Sequence, residues 1–262
     1  PYLSRGLGDV YKRQQLTLNA ERNISVDAAI SATGGGTLEL IAGGGLVTSS
    51  PSAPGSIDIS GSNPGQLIID QQGNTEFEGT VSGTGGLTKS GTGRFSLTGV
   101  KSYTGTTAVR EGTLLSEGSA ISSDVSITGG AIFEIYLPSA SDAVTYSKII
   151  SGAGDFAKSG SGTLTFDQAH TYSGRTSIND DGTLKTTSTG SLSNATAVNV
   201  SNSAKYELGS DDEVGSIEGG GNIDLGTSRL TVGGSGVDKT FSGVIAGSGG
   251  LTKKGRGTLT LS

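Results

Sequence analysis

The sequence predicts an all-β chain wound as a solenoid of short parallel strands, and three observations carry that expectation. The stretch Gly83 to Leu97, Gly-Thr-Gly-Gly-Leu-Thr-Lys-Ser-Gly-Thr-Gly-Arg-Phe-Ser-Leu, is written again from Gly152 to Phe166 and from Gly247 to Leu261. Glycines, an apolar residue, a lysine and two alternating apolar residues recur in register, the mark of a repeat architecture. Composition is the second observation: 46 glycines in 262 residues, 32% hydrophobic residues, 5% aromatic, and no Trp, Met or Cys. Such a chain cannot fill a thick core, but small aliphatic residues turned inward at alternate positions can stack into a narrow apolar column. The third is that runs of three to five alternating residues are separated by turn chemistry at short intervals, and no window has helical period.

Charge and cysteine usage narrow the partners. A net charge of −6 and a pI near 4.8 oppose binding to a polyanion, which needs clustered Lys and Arg, so no nucleic-acid partner is expected. The absence of cysteine excludes a disulfide framework and thiolate metal sites. No run approaches the apolar length of a membrane span, and nothing here reads as a signal peptide.

In chain order, residues 1–14 stand apart. Ser4-Arg5-Gly6-Leu7-Gly8-Asp9-Val10-Tyr11-Lys12-Arg13-Gln14 resembles the in-frame translation of a transposase sequencing adapter and is excluded from fold reasoning. The native N-terminus, with any signal peptide, is then expected upstream. Residues 15–74 read as N-terminal coils carrying Leu16-Thr-Leu18, Ile24-Ser-Val26, Ile30 and Thr37 to Ile41. Between Gly43 and Gly65, Pro51, Pro54 and Pro64 predict a loop bulging from the repeat, because proline cannot pair within a central strand. Inside it Ile57-Asp-Ile59 alternates, and Leu67-Ile-Ile69 resumes the strand pattern. Residues 75–145 are the first full repeat and 146–240 the second, with extra coils from Asp211 to Lys239. Residues 241–262 are a third, cut short: the earlier copies run on to Tyr103-Thr-Gly105 and Tyr172-Ser-Gly174, whereas this one stops at Ser262. The chain is therefore expected to be an internal slice of a larger protein. With coils of about 20 residues and strands about 4.8 Å apart, it predicts roughly eleven coils and a rod near 50 Å long.

The pattern Gly-x-Gly-x-(Leu/Phe)-x-Lys-x-Gly-x-Gly, then Tyr-(Thr/Ser)-Gly, then Gly-Thr-Leu, closely resembles the autotransporter-associated β-strand repeat of bacterial autotransporter passengers, over about residues 75 to 262. Residues 16 to 45 resemble the repeats of filamentous-haemagglutinin-like bacterial exoproteins. The resemblance implies a right-handed parallel β-helix, a single-stranded solenoid of the pectin-lyase-like kind. It also implies a non-enzymatic structural stalk of a passenger or adhesin, secreted or displayed on the surface of a Gram-negative bacterium and exported by type V secretion. The implied partners are an outer-membrane translocator barrel, in cis or in trans, and an unknown surface receptor or glycan, in attachment or virulence.

No catalytic, cofactor-binding or metal-ligating residue is assigned. Gly83 to Ser90 approaches a phosphate-binding loop, but Thr88 stands where that loop requires glycine, and the echoes at Gly152 and Gly247 make the glycines corners. Gly219 to Leu225 approaches a calcium-binding nonapeptide once only, where calcium needs carboxylates from successive coils. Asp180-Asp181 and Asp211-Asp212-Glu213 read as solvated turns, with a weak cation site at the second as the alternative. A carbohydrate-active β-helix enzyme is the rival reading, but Asp155, Asp167, Asp180 and Asp224 are scattered rather than paired. His170, the only histidine, is read as a turn residue, and no Gly-x-Ser-x-Gly elbow exists to pair with it. Lys89, Lys158 and Lys253 each follow an apolar inward residue by two positions or sit at an outward turn that needs solvation, and Lys89 is expected to face water; Leu87, Phe95 and Leu97 are expected to face the core, and Tyr103 and Tyr172 to seal turns.

Overall fold

The computed structural model describes residues 15–32, 35–47, 54–60, 65–119, 121–234 and 236–262. The adapter-like stretch 1–14, Pro51 and Pro64 lie outside the described residues. Among those described there is no helix, and every strand pairing is parallel, in a β-solenoid of about twelve turns. At about 4.8 Å per turn that is a column slightly over 50 Å long.

Most turns contribute one short strand to each of three sides. The first side is a seven-stranded sheet from Gln15–Ala20 to Ile150–Gly152, then a three-stranded sheet of Asp212–Val214, Arg229–Val232 and Gly250–Lys253. The two are joined by irregular backbone, in which Thr171 N–H donates to Ile150 O and His170 N–H to Ser191 O. The second side begins with Asn23–Ser25 and Gly45–Val47 and continues as a ten-stranded sheet from Thr75–Phe77 to Leu259–Leu261. The third is a four-stranded sheet ending at Lys101–Tyr103 and a six-stranded one from Ala143–Tyr146 to Val244–Ala246.

Registers show how insertions are absorbed. Leu67 pairs with Leu87 twenty residues on, whereas Leu38 and Leu67 are twenty-nine apart because the Gly43–Gly65 excursion lies between them. That excursion is not wholly loop, for Ser56–Asp58 is a strand of the third side, with Ile57 and Ile59 buried. The extra coils after Asp211 are regular turns, their Val214, Ile217, Ile223, Leu230 and Val232 at most 1% exposed.

Strict alternation sets the core. In Thr163–Phe166, Thr183–Thr186 and Ala197–Val200 every second residue is buried. Identical in-register turns then place like on like: Leu38, Leu67 and Leu87 in one column, Phe133 on Phe156 in another. A block of aromatic rings fills the middle turns. Phe156 and Phe166 lie 5.2 Å apart, Phe133 and Phe156 6.1 Å, Tyr146 and Phe166 6.1 Å, tilted as ring quadrupoles prefer.

The repeat and the turn have different periods. Lysine-bearing strand Gly86–Ser90 lies on the first side, its equivalent Asp155–Ser159 on the second, and the third copy, Gly250–Lys253, on the first again. From the first copy to the second the chain passes three full turns and one further side. The same words are thus spoken on different faces, so the motif specifies strand, corner and strand rather than one face of the column.

Candidate functional site

The recurrent lysine is the residue on which a functional reading first rests, and the structure corrects its placement. Lys89 and Lys158 are fully buried, not turned to water. Alternation explains it: Leu87 and Lys89 are two apart on one strand, so both side chains point inward. The Lys89 ammonium donates to the carbonyls of Ser90 at 2.7 Å and Gly91 at 2.7 Å, and at 3.4 Å to Glu111 O in the next turn. Lys158 repeats the contacts, to Ser159 O at 2.8 Å and Gly160 O at 2.7 Å. Lys253 makes them too, to Lys254 O and Gly255 O, but is exposed. The pairing to the next turn ends at Lys89↔Val109 and Lys158↔Ile178. The carbonyls just beyond have left the ladder, and a buried carbonyl needs a donor.

The repeated glycines build that corner, each Gly-x-Gly pairing two kinds of requirement. Gly91, Gly160 and Gly255 have φ of 74°, 75° and 69°, and Gly83, Gly152 and Gly247 have φ of 113°, 100° and 115°. These are left-handed values that side chains resist. The second glycine of each pair is needed for close approach: a Cβ at Gly93 would strike Gly73 O, and one at Gly85 would strike Gly65 O, each in the turn beneath.

Two further donors serve the same purpose and escaped the sequence reading. Lys101, 5% exposed, donates to Leu97 O, Gly99 O and Glu117 O at 3.0, 3.0 and 2.9 Å. Gln71 donates to Gly73 O at 3.0 Å and Arg94 O at 2.9 Å. Burial pulls Lys89, Lys101 and Lys158 down to about 8. The nearby Asp70 and Glu111, Glu117, and Asp180 and Asp142 respectively oppose that fall.

The second recurrent residue, tyrosine, closes the other corner. Tyr103 and Tyr172 are fully buried, their hydroxyls on Thr107 at 2.8 Å and Thr176 at 2.5 Å, each threonine four residues on. Those threonines bond in turn to Ser123 at 2.7 Å and Thr196 at 2.8 Å. Phenol ionisation is pushed strongly upward by burial in both.

His170 occupies in the second copy the place of Lys101 in the first. Its ring lies 3.9 Å from that of Phe166, and Nδ1 accepts the Ile150 amide at 3.1 Å. Burial holds it neutral down to about 4, with Asp167 opposing. Among the described residues its Nε2 has no hydrogen-bond partner, and the Ser147 hydroxyl donates to Asp167 at 2.7 Å.

The carboxylates named from the sequence are not brought together. Asp155 accepts the Arg175 amide at 2.7 Å, Asp180 accepts the Gly160 amide at 2.7 Å, and Asp224 pairs with Lys205 at 3.1 Å. Asp211 accepts the Arg229 amide at 2.7 Å and Glu213 meets Lys254 at 3.0 Å. Asp212 is a correction, because it is buried rather than solvated, 6% exposed. It takes the Tyr206 hydroxyl and the Leu192 and Glu213 amides, and burial raises its pKa. Among the described residues no group of three or more His, Asp or Glu side chains is placed to hold a metal ion. The phosphate-loop reading of Gly83 to Ser90 meets spent donors: the Gly85, Gly86 and Leu87 amides bond to Ile59 O, Gly65 O and Thr106 O. An open groove on the second side is lined by Arg175, Asn199, Asp238 and Lys239, with Glu218 held between Arg175 at 3.3 Å and Lys239 at 2.6 Å.

Comparison with protein families finds the passenger-associated-transport-repeat at residues 87–115 and 156–185. It is a repeat family of autotransporter passengers. The first match begins on the first side of the column and the second on the second side, so both follow the lysine corner and the tyrosine corner across five successive strand positions. Neither the curated proteins nor the solved structures gave a match.

Proposed function

We propose that this chain, which carries two passenger-associated-transport-repeats, is a non-enzymatic stalk of a secreted or surface-displayed passenger of a Gram-negative bacterium. The observation that carries the reading is where the repeated residues go. Lysine, tyrosine and glycines are the repeated chemistry, and in both matched segments they are spent on corners and stacking. The carboxylates bond to the next turn's amides or to neighbouring cations, which supports a mechanical role. Such a column holds distal binding loops away from the outer membrane. Type V export through an outer-membrane barrel, in cis or in trans, and attachment to a receptor or glycan complete the proposal.

Intact cells producing the complete protein test it. Added protease, or an antibody raised to residues 121–234, should reach this segment without breaking the outer membrane. A segment protected in intact cells and exposed only on lysis would refute display. Release of reducing ends from acidic polysaccharides by the complete protein would favour the enzyme reading instead.

A further inference from the structure

The lysine corners resemble, in their donor set, a cation site made of main chain. Under the left-handed Gly91 the carbonyls of Ser90 and Gly91 turn toward one point, and Glu111 O approaches it from the next turn. The same convergence forms under Gly160, with Gly182 of the following turn close enough that a Cβ there would meet the Lys158 ammonium. A third forms under Gly255, and a fourth, at a different place in the repeat, around Lys101. We propose that these carbonyl clusters are primary-amine sites built into the solenoid, each filled by the N–H donors of the chain's own lysine, which at Lys89 and Lys101 also staple one turn to the next.

Three features support the N–H donors over the aliphatic stem as the purpose of the lysine. An inward position between apolar neighbours is filled elsewhere on the same side by Ile69 and Val109, to which Lys89 is directly paired, so bulk alone does not call for lysine. The contacts use all three ammonium hydrogens at Lys89 and at Lys101, a geometry a primary ammonium meets and an aliphatic tip does not. Where lysine is absent a neutral donor takes over two carbonyls only, as Gln71 does at Gly73 and Arg94. The ligand class is therefore a primary alkylammonium, recognised by two or three backbone carbonyls beside a glycine in left-handed conformation.

The test removes the N–H donors and returns them from solution. In the 262-residue chain, Lys158→Met keeps the volume and leaves the two carbonyls without a donor; its thermal midpoint is expected to fall by about 5 °C or more, with Lys158→Gln falling less. Lys158→Ala opens the site, and its midpoint is expected to rise with added propylammonium chloride but not with the same concentration of tetramethylammonium chloride, which has no N–H to give. A Lys158→Met midpoint equal to the parent's, or equal effects of the two salts, overturns the proposal. Should the alanine variant not fold, the parent chain decides: at neutral pH its Lys89, Lys101 and Lys158 ammonium protons should exchange slowly enough to be seen by nitrogen-edited NMR. Fast exchange at all three rejects the sites.

Discussion

Replacing Gly160 by alanine should destabilise the chain by about 1–3 kcal/mol in urea denaturation, since φ there is 75° and an added Cβ would meet Leu137 O. Gly129→Ala is the control, because that site lacks a left-handed φ and its nearest contact would be an ordinary 3.7 Å; it should change stability by no more than about 0.5 kcal/mol. Buried titratable residues make a second prediction. The corner lysines sit at about 8 in the fold and near 10.4 when unfolded, so between those values the unfolded chain binds more protons. Stability should therefore rise with pH from about 8 toward 10. Tyr103, Tyr146, Tyr172 and Tyr206 act the other way: their folded pKa values are raised above the unfolded value near 10, so the stability they confer is lost as pH climbs past 10. Thermal midpoints measured from pH 7 to 11 should pass through a maximum near 10, and a monotonic fall from pH 8 would contradict the assignment. Much of this chemistry was legible in the sequence. Leu87-Thr-Lys89 already carries the alternation that buries the lysine, and only the habit of giving charge to solvent hides it. Lys101 and Asp212 were not legible, because their burial depends on which turn passes over them, a non-local fact.

At the scale of the strand, the aromatic block is where packing energy concentrates. Phe156 touches the rings of Phe133, Phe166 and Tyr172, and Phe156→Ala should cost about 3–5 kcal/mol. In a stacked repeat that loss is local. Hydrogen exchange should accelerate in strands Ile132–Tyr136, Thr163–Phe166 and Arg175–Ile178 while Thr37–Ala42 and Gln66–Gln71 keep their protection. Uniform loss across the chain would show instead that the column melts as one body. Strand positions were readable from period-two runs such as Ile57-Asp-Ile59 and Thr163-Leu-Thr-Phe166, and so was the division into three strands per turn. What could not be read is which side each strand joins. Assignment to a side follows from the cumulative count of corners, and the irregular backbone around His170 and Ser191 contributes a side without a regular strand.

For the molecule as a whole, a column of about twelve turns whose contacts run almost wholly between neighbouring turns should give a β-type circular dichroism spectrum. Its denaturant transition should be broader than that of a compact domain of equal length. A random-coil spectrum would remove the basis of the fold. The mismatch between repeat and turn has one more consequence, for how such a chain changes when segments are gained or lost. The first repeat spans three turns and a third, so duplicating it lengthens the column by about 16 Å and also swings everything beyond it through about 120°. Copy number therefore sets a compass bearing as well as a reach, and three further units, ten turns and about 48 Å, restore the original heading. Any loop carried past the lysine corners is aimed by arithmetic on the repeats beneath it.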